Sequence, residues 1–203
     1  MGAVILGALG LYLLIAMVVV LWAIGHARKH GKNVKRWGWG WGWGAALVMY
    51  LIPFWDWIPT VAIHQYYCAT EAGFWVYKTL DQWKAENPGV IETLVANVVS
   101  SPADHEGDED DWTNTYHLNQ RINQIGTHQG PLIFYRWRWE SVLVDNKTNE
   151  KLARSVDFYT TQVRTGGGWH GWKFWLARSH CPGYKNRAIQ FGKYLEQFQW
   201  EKK

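Results

Sequence analysis

The chain has 203 residues, 21 Lys and Arg against 17 Asp and Glu, a net charge of +4 and 16 tryptophans. That length suits one ordinary domain plus appendages, and the modest, unevenly spread charge argues against nucleic acid as a partner. The mean hydropathy of −0.27 conceals two unlike parts, an almost continuously apolar first third and a polar remainder.

From Gly2 to Ile24 no side chain carries a charge. At about 1.5 Å per residue, these 23 residues span a hydrocarbon core of roughly 30 Å. No charged segment precedes the run and the charges follow it, which reads as a retained transmembrane helix rather than a cleaved signal. Residues 1–25 are therefore expected to form a first crossing. The following "HARKHGKNVKR" holds Arg28, Lys29, Lys32, Lys35 and Arg36 without an acidic residue, which places this loop in the cytoplasm.

"RWGWGWGWG" comes next. Arg36, Trp37, Trp39, Trp41 and Trp43 read as an anchor at the membrane–water interface, because an indole offers an apolar ring and one N–H donor. In a helix a step of two residues divides the four rings between two faces, whereas an extended chain puts them on one. The glycines favour the extended or irregular form, each costing a helix about 1 kcal/mol relative to alanine. With the basic loop they make a segment over 26–43.

The return crossing is expected over 44–65. Pro53 and Pro59 interrupt it and Asp56 lies near its middle. A carboxylate at that depth costs a few kcal/mol or more unless paired, so Asp56 is a candidate partner-binding group inside the bilayer. Alternatively the helix tilts and "FWDWIP" lies at the far interface, with Trp55 and Trp57 as further anchors.

Residues 66–203 then form a periplasmic domain. Cys68 and Cys181 are the only cysteines; both fall in this part and are natural disulfide partners in an oxidising compartment. No CxxC motif is present, which argues against oxidoreductase chemistry. "GFWVYKTL" (residues 73–80) reads as a strand, and residues 90–99 suit helix and strand equally. "DHEGDEDD" (104–111) reads as a solvated acidic loop without the EF-hand order. "TYHLNQRINQI" reads as a short helix.

In "PLIFYRWRWESVLVDNKTNEKLARSVDFYTTQV", Tyr135, Trp137 and Trp139 alternate with Arg136, Arg138 and Glu140. That period of two, followed by the turn residues "DNKTNE", predicts a β-hairpin. Arg136 and Arg138 are possible anion contacts, although such a row is more often the wet face of a sheet. The glycines of "TGGGWHGW" suggest a mobile loop without a nucleotide-binding order. His170, His180 and Cys181 fit no zinc spacing. "NRAIQFGKYLEQFQW" predicts a terminal amphipathic helix with Ile189, Tyr194, Leu195 and Phe198 on its apolar face.

The segments "FWDWIPTVAIHQYYCATEAGFWVYKTLDQW", "VLVDNKTNEKLARSVDFYT" and "WKFWLARSHCPG" resemble uncharacterised bacterial two-span inner-membrane proteins. That resemblance implies a bacterial membrane location and carries no activity or functional residues.

The expected fold is a membrane-anchored α+β protein. An N-terminal two-helix transmembrane hairpin precedes a small extracytoplasmic domain, which has an antiparallel β-hairpin or sheet and a C-terminal helix. The histidines at 64, 105, 117, 128, 170 and 180 are scattered, and no catalytic motif is recognisable, so no enzyme, metal or cofactor is expected. Two functions compete. The first is a non-catalytic accessory subunit of a larger inner-membrane complex, with lipids and integral-membrane subunits as partners. The second is an envelope protein that recognises a glycan or lipid head group through surface Trp and Arg.

Overall fold

The computed structural model describes residues 2–30, 34–95, 102–161, 173, 176–177 and 179–198; for 2–5, 30 and 34–38 it describes the backbone alone. The chain divides into two compact units, Met1–Pro59 and Thr60–Lys203.

The first unit contains α1 (Gly2–His30) and α2 (Val34–Phe54), which pack together. The span Leu6–Lys29 in α1 is long and apolar enough to cross a membrane, and its side chains are almost entirely exposed. The Trp/Gly run is helical, contrary to the extended form that its glycines favour. Gly42 supplies one reason. A Cβ there would lie 2.8 Å from Ile24 Cγ1, so glycine permits a close approach of α2 to α1. The Tyr12 hydroxyl, donating to the Met49 carbonyl, ties the two helices further along. Tertiary packing thus outweighs the propensity cost of the glycines.

Pro53 occupies the last turn of α2, and the helix stops at Phe54. After a break at Trp55–Asp56, α3 runs over Trp57–Thr70 with Pro59 in its first turn, where a missing N–H removes no helical bond. Residues Trp39–Phe54 and Trp57–Thr70 meet the length and hydropathy demands of a crossing only when taken together across that break.

The second unit is built on a seven-stranded antiparallel sheet: β1 (Gly73–Val76), β2 (Asp104–Gly107), β3 (Trp112–His117), β4 (Ile122–Leu132), β5 (Arg136–Asp145), β6 (Glu150–Thr160) and β7 (Ser179–His180). Its order is β1-β6-β5-β4-β3-β2, with β7 also paired to β6. The short α4 (Leu80–Glu86) starts with a capping box between Thr79 and Gln82, and α5 (Tyr184–Glu196) follows β7. The α+β class, the apolar N-terminal helix, the β5–β6 hairpin and the C-terminal helix agree with the sequence reading.

Several local expectations need correction. "TYHLNQRINQI" is a β-turn-β unit. Leu118 and Ile122 are both buried, which mimics helical spacing, but they flank a turn in which Asn119 Oδ1 accepts from the Arg121 and Ile122 amides. The acidic run is partly β2. Its turn is closed by Asp108 Oδ1 and demands Gly107 at φ +116°, where a Cβ would lie 2.1 Å from the Asp111 carbonyl oxygen. Of residues 90–99, Ile91–Thr93 form one 3-10 turn, and 96–99 lie outside the described residues. Tyr135 does not continue the β5 alternation, because Phe134 and Tyr135 adopt left-handed backbone before the strand begins.

The core sits where α4 and α5 meet the sheet. Trp83, Leu118, Ile122, Leu143, Leu152, Ala153, Phe191, Tyr194 and Phe198 form one buried cluster. Ile189 is 56% exposed instead of facing this core. It lies five residues before Tyr194, roughly 140° away around the helix. Phe191, three before Tyr194, takes the inward place.

A candidate site at the Cys68–Cys181 junction

The pairing of β5 and β6 sets the site's two faces. Arg136 opposes Thr160 and Arg138 opposes Phe158, while Trp137 opposes Tyr159 and Trp139 opposes Asp157. Directly opposed residues share a face, so the arginines and the tryptophans point to opposite sides, as the alternation predicts. The expected wet face, however, is not uniformly wet. Arg136 is only 7% exposed. Its guanidinium stacks 3.5 Å from the centre of the Tyr67 ring and 5.6 Å from Phe158. Among the described residues, its Nε and Nη1 have no hydrogen-bond partner. A desolvated cation on an aromatic face gains about 2 kcal/mol, less than full desolvation of the charge costs. Arg138 is less enclosed and reaches Gln129 and Glu140.

Tyr67 comes from α3, and so does Cys68. Cys181 follows β7, its amide donating to the Phe158 carbonyl (3.1 Å). Cys68 and Cys181 meet at disulfide distance, with Cα atoms 5.3 Å apart across 113 residues of sequence. Val156, Phe158 and Cys181 form the buried floor, with Tyr67, Cys68 and Ala72 packed on it.

His64 is one helical turn before Cys68, and its Nε2 lies 3.5 Å from Cys68 Sγ. The ligand atoms of His64, Cys68 and Cys181 all fall within 4.8 Å of one another. Asp157, Arg136 and His180 act electrostatically on the same imidazole. Asp157, 3% exposed, accepts from His180 Nδ1 (2.7 Å) and from Arg187 Nη2 (2.9 Å). His180 also stacks on Tyr184 at 4.1 Å. On the tryptophan face, stacked rings lead through Trp112, His128 and Trp137 to Tyr159, which meets His180 at a tilt of 39°. His128 Nε2 and the Tyr159 hydroxyl are 2.6 Å apart, which fixes the middle of this ladder.

No protein-family model, curated protein or solved structure matches the chain.

The junction combines two paired cysteines, a nearby imidazole, an enclosed guanidinium and a carboxylate already engaged by the His180 imidazole and the Arg187 guanidinium. Such a set can hold a cross-link or, with free sulfurs, a soft metal ion. It joins one disulfide candidate pair to one of the two anion candidates, a convergence that the sequence does not announce. His64 was missed. The available signal was H-x3-C, a spacing that puts both side chains on one helix face.

The other sequence candidates lie elsewhere. Trp39, Trp41, Trp43 and Trp55 are exposed, and Trp57 is half-buried. The side chains of Arg36 and Trp37, and His170 with the glycine-rich loop, lie outside the described residues. Asp56 is fully buried at the position before α3.

Proposed function

We propose that this protein is a non-catalytic accessory subunit of a bacterial inner-membrane complex. Its α1 makes one crossing, the bent pair Trp39–Phe54 and Trp57–Thr70 supplies the return over residues 44–65, and residues 66–203 make the periplasmic domain. The observation that carries this reading is the apolar exterior of the first unit. Leu6, Leu11, Leu13, Val18, Leu21 and Trp22 are all about 60–70% exposed, a surface suited to hydrocarbon or to neighbouring helices. The basic loop fixes the orientation by the positive-inside rule, and the Cys68–Cys181 pair suits an oxidising compartment.

Solubilised from its native membrane in mild detergent, the tagged chain should migrate in an assembly of fixed stoichiometry with other integral-membrane chains. Migration as a monomer or a pure homo-oligomer overturns the proposal.

A second reading, an envelope protein that binds an anionic head group, draws on Arg136. A phosphate or carboxylate oxygen would supply the acceptor that its Nε and Nη1 lack among the described residues. In that case the isolated chain would bind the head group without any partner, and Arg136→Ala would abolish the binding.

A further inference from the structure

The three sulfur and nitrogen atoms at the α3–β7 junction have a geometry that a simple cross-link does not require. We infer that His64, Cys68 and Cys181 form a redox-gated site for a thiophilic divalent cation of the zinc class, closed while the two sulfurs are bonded and open when they are reduced.

Ligand geometry supports this first. A thiolate and an imidazole nitrogen sharing a tetrahedral zinc lie about 3.5 Å apart, given bonds of roughly 2.3 and 2.0 Å. Cys68 Sγ and His64 Nε2 are already 3.5 Å apart. Two thiolates on one zinc need about 3.8 Å between sulfurs. Freed from each other, side chains on Cα atoms 5.3 Å apart can reach that separation by rotation about their Cα–Cβ bonds.

Placement supports it next. His64 and Cys68 are four residues apart on α3, which gives two ligands from one rigid helix face. Cys181, 3% exposed, is held by the hydrogen bond that its N–H donates to the Phe158 carbonyl in β6, and it begins the turn into α5. The site thus takes two ligands from a helix and one from the residue that directly follows β7.

Charge supports it as well. Arg136 and His180 both act on the His64 imidazole, and reduction alone leaves two neutral thiols next to it. Two thiolates and one neutral imidazole on a divalent ion make a neutral unit, so the junction gains no net charge. Three protein ligands leave one coordination position for water or another donor.

Opening the site takes two electrons and two protons. A dithiol reductant gives up two hydrogens, the Cys68–Cys181 bond breaks, and the donor becomes a disulfide. Metal binding then displaces the two thiol protons to solvent.

The test uses the full chain in detergent. A phosphine reductant is preferred because it binds zinc weakly; it takes an oxygen from water to become the phosphine oxide, and the two protons go to the sulfurs. Co2+ serves as the optical probe and Zn2+ as competitor. The reduced protein should take up one Co2+ per chain with intense thiolate charge-transfer absorption, and Zn2+ should displace it. The oxidised protein should take up none. His64→Ala should weaken binding by about tenfold or more, while Cys68→Ser or Cys181→Ser should remove the charge-transfer band. The His64→Ala chain must still form the disulfide under oxidising conditions, shown by its non-reducing migration, which separates ligand loss from misfolding. If reduction loosens the domain, Zn2+ must restore the near-UV circular dichroism of the oxidised form. Failure of that recovery, absence of Co2+ uptake after reduction, equal uptake by the oxidised chain, or unchanged affinity in His64→Ala each overturns the inference.

Discussion

Asp145 ties three separate pieces of the outer domain together. Its carboxylate accepts from Trp83 Nε1 in α4 (2.8 Å), from Arg121 Nε in the β3–β4 turn (2.7 Å) and from the Lys147 amide (3.0 Å). Burial pushes this carboxyl up, but the bonds from Arg121, Trp83 and Lys147 together hold it below the ordinary carboxylate range. The stabilisation it contributes is therefore complete above the unfolded pKa of about 4 and is lost as the pH falls through the lower folded value. At the alkaline end, burial pushes the Tyr194 hydroxyl up to about 12, and that hydroxyl donates to the Lys78 carbonyl. Its contribution is complete below about 10 and fades as the pH rises through 12. Denaturant melts across pH should show both limbs. Asp145→Asn should flatten the acid limb and cost about 3 kcal/mol at neutral pH, because it leaves the Arg121 cation enclosed without its counter-charge. An unchanged acid limb in that variant would assign the acid sensitivity to other groups.

Among the elements, α2 shows how far a pattern can be read without its surroundings. The alternation of Trp and Gly gives the residues of the array but not its conformation, because an isolated segment with these glycines would resist helix formation. The helix divides the rings. Trp39 and Trp43 line one side with Val20, Ile24 and Arg28, while Trp41 lies on the other with Trp22, His26, Gly40 and Gly44 around a cavity of about 840 Å3. Replacing Trp37, Trp39, Trp41 and Trp43 by alanine should weaken membrane or complex association, measured by extraction at rising salt and detergent. The protease-resistant fragment from residue 60 onward should persist. Loss of that fragment would mean that the array supports the fold of the outer domain rather than anchoring the chain. The β5–β6 hairpin is the opposite case. Its period-two pattern and its turn residues at 146–149 are local properties, and the structure keeps both.

For the whole molecule, orientation in the membrane is the feature with most consequence. A single cysteine introduced as Gly31→Cys in the basic segment should resist a membrane-impermeant thiol reagent added from outside. Thr148→Cys, in the exposed β5–β6 turn, should react once the outer membrane is permeabilised. The reverse labelling pattern would invert the topology and place the Cys68–Cys181 pair in the cytoplasm. The same pair cross-links positions 113 residues apart, which in chain-entropy terms is worth about 4 to 5 kcal/mol to a folded domain.

The sequence by itself determined whatever depends on neighbours along the chain. That includes the uncharged stretch of α1 and the alternation of β5, whereas the strand expected over 73–80 ends at Val76 and gives way to the capped start of α4, and the crossing expected over 44–65 breaks after Phe54. The first two follow from side-chain charge and side-chain period, both of which are local. Only the tertiary structure decided the helical state of the Trp/Gly run, the turn at Asn119 and the inward place of Phe191 over Ile189. It also decided the meeting of His64, Cys68, Cys181 and Arg136, which come from three stretches of chain, one of them the shared helix α3, separated by two long intervals. Those outcomes depend on which surfaces meet, and the free energy of contacts made across a hundred residues is not written in any window of the sequence.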